Sequence, residues 1–457
     1  VDCPSANGAK PKSCVPGSKS CPVTCESAGD DCPRNYECAH CAKWEGKRCY
    51  HSDAFPHFSV WDGVGTLVLI VAIFFASVAG IGGGGLNVPI FLLIFNFVLG
   101  DAKILSHCTI FGNSLAQFVI NAPHRHGSRK RFVVDYHVAL VVLPTFIAGH
   151  SIGILIFPMF PEFIVLGLLM ALLLFGTVRT FQKGIKAYKK ESAGYGALAQ
   201  VPPADSEPIN SLDVVSPVAS SAAFKVPWFS LFVLFIFWMV FAMDYLLMGG
   251  KSAKSLVAGV TTCSPGYWGF FAGLFPVVLV VAMYAVWALN RDAQLHHDAP
   301  KEDGEVHWTK TAMFRLIFLS LFIGTAAGLV GIGGGEFLSP VLLEVGMGAQ
   351  TSSATSAFVI LVSTCSDVLH YLILRDLDPL LTYVIWVVCI GFAAALIGRH
   401  VATRFAQKSR PSFIILALGA ALLLCAVLAA EQGIQSVISD AKGGGKWWAF
   451  HPAKLCG

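Results

Sequence analysis

The sequence predicts an all-α polytopic membrane protein: two inverted repeats, each with a glycine-broken helical hairpin, behind a small disulfide-rich N-terminal ectodomain. Three observations predict it: a charge-poor apolar composition, a glycine cluster that occurs twice, and cysteines crowded at one end. Hydrophobic residues make up 55% of the 457-residue chain and charged residues 13%, about half the ~25% of a soluble domain. Mean hydropathy is +0.65. A soluble enzyme, a disordered scaffold and a nucleic-acid binder are excluded, and the lipid bilayer is the surrounding partner. The net charge of +4 sits mostly in short loops, so it reports orientation in the membrane.

Of 14 cysteines, eight precede residue 50: Cys3, Cys14, Cys21, Cys25, Cys32, Cys38, Cys41 and Cys49. Their segment is polar and rich in Gly, Pro and Ser, with no apolar run able to form a core. That density reads as a disulfide-stapled extracellular or lumenal module. The Cys-Ala-His-Cys run at 38–41 offers half a zinc site, without a matching second pair among the other six. The chain opens at Val1 with no apolar leader, as expected of an exported N-terminus whose signal peptide has been removed.

Spans of about 20 apolar residues are expected near 61–80, 102–122, 133–157, 162–181, 227–249, 267–290, 311–330, 351–373, 380–400 and 411–430. Two shorter stretches, 86–99 and 336–347, each follow a glycine cluster. The chain divides into a Cys-rich module (1–56), a first transmembrane repeat (57–182) and a cytosolic linker (183–226). An added helix pair with its cytosolic loop (227–308), a second repeat (309–430) and an external tail (431–457) follow. Basic loops at 124–131, 179–190 and 399–410 belong in the cytosol. They all reach it only if 61–80 and 86–99 count as a hairpin, and the shortness of 86–99 and 336–347 favours a re-entrant form. The repeats are then inverted, as in secondary transporters, and the N-terminus lies outside the plasma membrane or in the lumen of an endomembrane. The same parity places Cys263 and Cys456 outside, where they can pair with each other.

The repeated motif is Gly80-Ile-Gly-Gly-Gly-Gly-Leu-Asn-Val-Pro89 against Gly331-Ile-Gly-Gly-Gly-Glu-Phe-Leu-Ser-Pro340. Consecutive glycines break a helix and bare its amides, which hydrocarbon tolerates only where protein or a watery cavity surrounds them. The half-helix that follows aims free N–H groups and its positive dipole end at the break, which suits an anion. The candidate anion ligands are therefore Gly82, Gly83, Gly84, Gly85, Asn87, Gly333, Gly334 and Gly335. Ser106, His107, Asn113, Thr355 and Ser356 join them from the polar helices alongside. Close helix packing by small residues is the competing reading of the glycines.

The paired motifs, the Ala354-Thr355-Ser356 run and the loop leading into Val134-Asp135-Tyr136 resemble the sulfite exporter TauE/SafE family, also called sulfonate uptake permeases. The resemblance covers roughly 61–182 and 309–430. It implies a secondary transporter of small inorganic or organic sulfur anions such as sulfite, thiosulfate or sulfonates, held at paired glycine-rich breaks near the midplane. The ectodomain, the linker with its added helix pair, and Ser106-His107-Cys108 in place of Ala-Thr-Ser depart from the family pattern. The alternative is a membrane receptor or scaffold that presents the ectodomain to an extracellular protein partner.

Buried charges in membrane helices default to functional roles. Glu336 borders the second cluster as a proton-coupling candidate or a helix-capping carboxylate. Asp367 and His370 share a helical face as a local pair or a proton relay, and Asp244 is expected to be solvated. No enzyme is expected. No P-loop, metalloprotease helix motif or catalytic triad occurs, no cofactor or metal is implied, and Cys108 and His107 are helix neighbours that point apart.

Overall fold

A computed structural model describes residues 36–40, 47–51, 59–78, 84–123, 125–126, 131–198, 228–249, 255–261, 263–295, 309–347, 349–374, 380–405 and parts of 416–438. Gly82, Gly83, Cys456 and six of the N-terminal cysteines fall outside them. The remaining two, Cys38 and Cys49, lie opposite each other in an antiparallel hairpin of β1 (Tyr36–His40) and β2 (Lys47–His51). Cys263 is disulfide-bonded, and its partner lies outside the described residues.

The helices of the first sequence half are α1 (Val60–Val78), α2 (Gly84–Leu93), α3 (Leu99–Asn121), α4 (Tyr136–Ile156) and α5 (Glu162–Leu198). A two-residue hairpin, β3 (Arg125–His126) with β4 (Arg131–Phe132), joins α3 to α4. Then come α6 (Trp228–Met248), α7 (Pro265–Leu295), α8 (Lys310–Val330), α9 (Gly335–Glu344), α10 (Ala349–Leu374) and α11 (Leu381–Phe405). Among the described residues, eight helices are long and apolar enough to cross a membrane. The chain is a multi-pass integral membrane protein.

Three details depart from or sharpen the sequence reading. The expected linker at 183–226 begins inside α5, which runs 37 residues to Leu198; its Lys, Glu and Ala residues are good helix formers once a span has nucleated the helix. Asp244 is half-buried in a crevice of about 450 Å³ between α6 and α7 rather than solvated. The short apolar stretches are ten-residue helices, α2 and α9. At 1.5 Å per residue each is about 15 Å long, half of what a bilayer core of about 30 Å requires.

Helix starts follow their local sequence. Ser59 and Asp62 cap α1 reciprocally, Ser59 N–H donating to Asp62 Oδ2 (3.0 Å) and Asp62 N–H to Ser59 Oγ (3.1 Å). Asp135 caps α4 by accepting from His137 N–H and Val138 N–H, and Thr309 caps α8 by accepting from Ala312 N–H.

Two hydrophobic cores form, each mixing helices from both sequence halves. One gathers α1, α2, α3, α5 and α11; the other gathers α4, α6, α7, α8 and α9; α3, α8 and α10 contribute to both. Contacts recur in matching pairs: α4 with α8 and α11 with α1, α2 with α3 and α9 with α10, while α3 meets α10.

The α4–α8 contact depends on absent side chains. Gly149 and Gly153 face the carbonyls of Leu321 and Thr325, and Gly324 and Gly328 face those of Phe146 and His150. This is reciprocal small-xxx-small packing. On α3 and α11, Gly112 and Gly391 do the same against Val388 and Thr109. Gly269 and Gly273 of α7 have open space where a side chain would go.

Overpacking a helix contact costs about 1–3 kcal/mol. Gly324→Leu should therefore lower the thermal unfolding midpoint of the detergent-solubilised protein by several degrees, whereas Gly269→Leu should leave it unchanged. A thermal-shift assay that finds the two alike would remove the glycine contact as the determinant of α4–α8 packing.

Candidate functional site

The second glycine cluster ends α8. Gly331 takes φ +89°, and Gly333 and Gly334 take +74° and +69°. Residues with a Cβ rarely adopt these angles, so the turn from α8 into α9 needs glycine on conformational grounds. Gly335 then opens α9. In the first copy, the described chain resumes at Gly84, the first residue of α2.

The two copies meet. Gly84 lies so close to Ile332 that a Cβ there would overlap the Ile332 carbonyl. Ile110 of α3 lies under both, against Gly84 and against Gly333. Gly334 packs on the Phe146 ring and Ala327. Gly84 and Gly85 are buried, and Asn87 is 1% exposed, with an Oδ1 that has no hydrogen-bond partner among the described residues. An unsatisfied buried amide oxygen costs about 1–3 kcal/mol.

Polar residues of α3 close the carbonyls freed by the break. Ser106 Oγ donates to Gly331 O (2.8 Å). Lys103 Nζ donates to Gly328 O (2.9 Å) and Leu329 O (2.8 Å), the last-turn carbonyls of α8, and lies 3.5 Å from the Phe157 ring centroid. A cation suits the negative end of a helix dipole. Lys103 is 3% exposed, so a buried positive charge stands beside the second break. Sequence reasoning missed it, having read lysines only for orientation; its signal was a lysine one turn ahead of His107 in a helix otherwise short of charge.

The other predicted residues divide. Asn113 Oδ1 accepts from Ser77 Oγ (3.0 Å) and Gln117 Nε2 (3.1 Å), which joins α3 to α1. Ser356 Oγ reaches Gly335 O at 3.5 Å, a weak bond. It holds α10 beside α9, as Ser352 Oγ does more strongly through Ser339 O (2.6 Å). Thr355 is used elsewhere: its Oγ1 accepts from Asp135 N–H (2.9 Å) at the start of α4. Glu336 is the second residue of α9, and its side chain lies outside the described residues.

His107 is fully buried, with Nδ1 2.8 Å from Lys103 O and Nε2 3.1 Å from His150 Nε2. His150 Nδ1 stands 2.9 Å from Asp367 Oδ1. Sequence reasoning paired Asp367 with His370; the structure instead joins Asp367 to two histidines from other helices. His150, between Gly149 and Ser151, gave no motif.

Thr355→Val removes the hydroxyl that accepts from Asp135. It should cost about 1 kcal/mol of stability, read as a lower unfolding midpoint, and should leave ligand affinity unchanged. A loss of affinity at unchanged stability would return Thr355 to the site.

The sulfite exporter TauE/SafE family profile matches residues 222–426, so α6 and α7 fall inside the match rather than outside it as an addition. Among curated proteins of Arabidopsis thaliana, sulfite exporter TauE/SafE family protein 3 is 29% identical over 411 residues, covering 86% of this chain and 84% of that protein. Family protein 5 is 29% identical, covering 82% and 84%, and family protein 1 is 28% identical, covering 86% and 89%. No solved structure matches. With the doubled glycine motif and the polytopic helical fold, these matches make the chain similar to the sulfite exporter TauE/SafE family.

Proposed function

We propose that the protein is a secondary transporter of small sulfur-containing anions (sulfite, thiosulfate or a sulfonate) that holds the anion where its two glycine breaks meet. The observation that carries this reading is the contact of Gly84 with Ile332 beside the buried Lys103. The α2 N-terminus brings the positive end of its helix dipole, Lys103 offers a positive charge, and Asn87 lies buried in the first turn of α2. The name its Arabidopsis thaliana relatives carry, sulfite exporter, supplies the class of anion.

Because the breaks touch, an anion enters only when they part. Parting them fits a fold of two inverted halves that rock against each other, with the cysteine-rich N-terminus outside. The matching contacts of α4–α8 and α11–α1 support such a pairing of halves. Gly84→Leu would hold the breaks apart permanently, so it disturbs packing and binding together and is a poor probe of the site.

Lys103 is a better one. In proteoliposomes, wild-type protein should show counterflow of labelled sulfite, thiosulfate or a sulfonate. Lys103→Met should slow it at least tenfold, equivalent to about 1.4 kcal/mol, and Lys103→Arg, which keeps the charge, should retain part of it. No counterflow of any of the three anions by wild type would sink the reading. Full activity in Lys103→Met would remove the lysine from the site.

A further inference from the structure

The buried trio of His107, His150 and Asp367 has a proton count that its geometry dictates. Lys103 O is a carbonyl and can only accept, so His107 Nδ1 carries a hydrogen toward it. A neutral His107 then presents a lone pair at Nε2, and His150 Nε2, 3.1 Å away, must donate. That leaves a neutral His150 with a lone pair at Nδ1, 2.9 Å from Asp367 Oδ1. Two lone pairs do not face each other at that distance. A further proton lies along the chain, on His150 Nδ1 beside the carboxylate, on Asp367 itself, or on His107 with both His150 contacts reversed.

All three placements contain the same single extra proton and the same net charge of zero. Removing it sets two lone pairs against each other at one of the contacts and loosens either α3 from α4 or α4 from α10. Adding another without opposing two donors is possible only on Asp367 Oδ2, where the new O–H finds no acceptor and the enclosed trio is left with a net positive charge. The arrangement therefore fits one bound proton, and its loss changes helix contacts.

The trio is enclosed. His107, His150 and Asp367 are 0%, 2% and 4% exposed. The titratable groups around it are Lys103 and Cys108 on α3, Cys365, His370 and Tyr371 on α10, and Tyr245 on α6. Tyr371 lies against the His107 ring and Tyr245 against the His370 ring. Asp367 Oδ2 has no hydrogen-bond partner and stands 3.8 Å from His107 Nε2. His370 Nδ1 is likewise buried without one. These two unfilled positions give the proton somewhere to go.

The trio also touches the breaks. His107 is one turn from Lys103 and next to Ser106, which together bind Gly328, Leu329 and Gly331. The backbone of His150 packs on Gly328, and its ring stacks with Phe146, whose own ring lies against Gly334. A change in the α4 contacts is thus felt where α8 opens into the break.

We propose that His107, His150 and Asp367 form a one-proton site that couples proton movement to anion passage, one proton travelling with each anion. The coupling rests on the anion-transport reading; the proton site itself does not.

Asp367→Asn tests both. The introduced amide can donate to His150 Nδ1, which lets His150 Nε2–H donate to His107, so the chain of hydrogen bonds closes without the extra proton. The variant should fold and mimic the protonated form permanently. Thiosulfate is a suitable probe because its own charge does not change between pH 5 and 8. With membrane potential held at zero and the outside one pH unit more acidic, wild-type vesicles should accumulate it about tenfold, the concentration equivalent of one pH unit. Asp367→Asn and His150→Gln should keep thiosulfate exchange yet lose accumulation, while Glu336→Gln should accumulate like wild type. Accumulation that survives Asp367→Asn, or that Glu336→Gln alone abolishes, overturns the coupling. Proton release from the purified wild-type protein on a jump to alkaline pH reads the site without any anion. It should exceed that of Asp367→Asn by one proton per chain, and equal release overturns the site. Absent counterflow with the extra proton still measured would count against the anion reading alone.

Discussion

Backbone that leaves helical geometry inside a membrane protein has to find its hydrogen bonds within the protein or from water in a cavity. The structure meets this constraint at the second glycine cluster, where α8 stops and α9 starts. Lys103 and Ser106 take up the carbonyls that α8 leaves open, Gly331, Gly333 and Gly334 supply the left-handed turn, and Ile110 fills the space beneath. The rest of the architecture serves that junction. The glycine-lined contact of α4 with α8 brings the end of α8 close enough for α3 to reach it, and α10 braces α9 through Ser352 and Ser356.

That close approach also explains why a polar cluster survives in an apolar protein. Gly328 permits the α4 backbone to sit against α8 at His150, and this positions the imidazole between His107 and Asp367. Each of the three groups comes from a different helix. None would be tolerated alone in hydrocarbon, but the hydrogen bonds among them meet most of the desolvation penalty.

Much of the fold was legible because hydrocarbon imposes a length rule on sequence. Eight spans, the two half-helices and the doubled cluster could be read from run length and glycine spacing. The lower-resolution features follow from the same logic: α5 runs past its apolar stretch because nothing in Lys-Lys-Glu-Ser-Ala stops a helix already under way. The side-chain partners were not legible. Thr355 looked like a ligand for an anion, and its hydroxyl accepts from the N-cap of α4; Lys103 was not singled out and is buried against α8. Which hydroxyl meets which amide depends on the rotation of each helix about its axis, and an alternation of polar and apolar residues fixes that rotation only where one side faces lipid. Helix α3 has no such side along most of its length, so its polar residues carried no rotational information.

The same helix has a consequence for how the chain is made. With Lys103, His107, Asn113 and Gln117 along it, α3 is absent from the set of helices apolar enough to span a membrane by composition. Its shelter is supplied largely by α10 and α11, which follow it by more than two hundred residues. A ribosome delivering the chain N-terminus first releases α3 long before that shelter exists. Until the second half arrives, α3 has to wait beside the insertion machinery, a chaperone or a water-filled part of the translocation channel. Completion of the first half of this protein is therefore an event of late synthesis, and a chain truncated before α10 presents the quality-control system with an exposed polar helix.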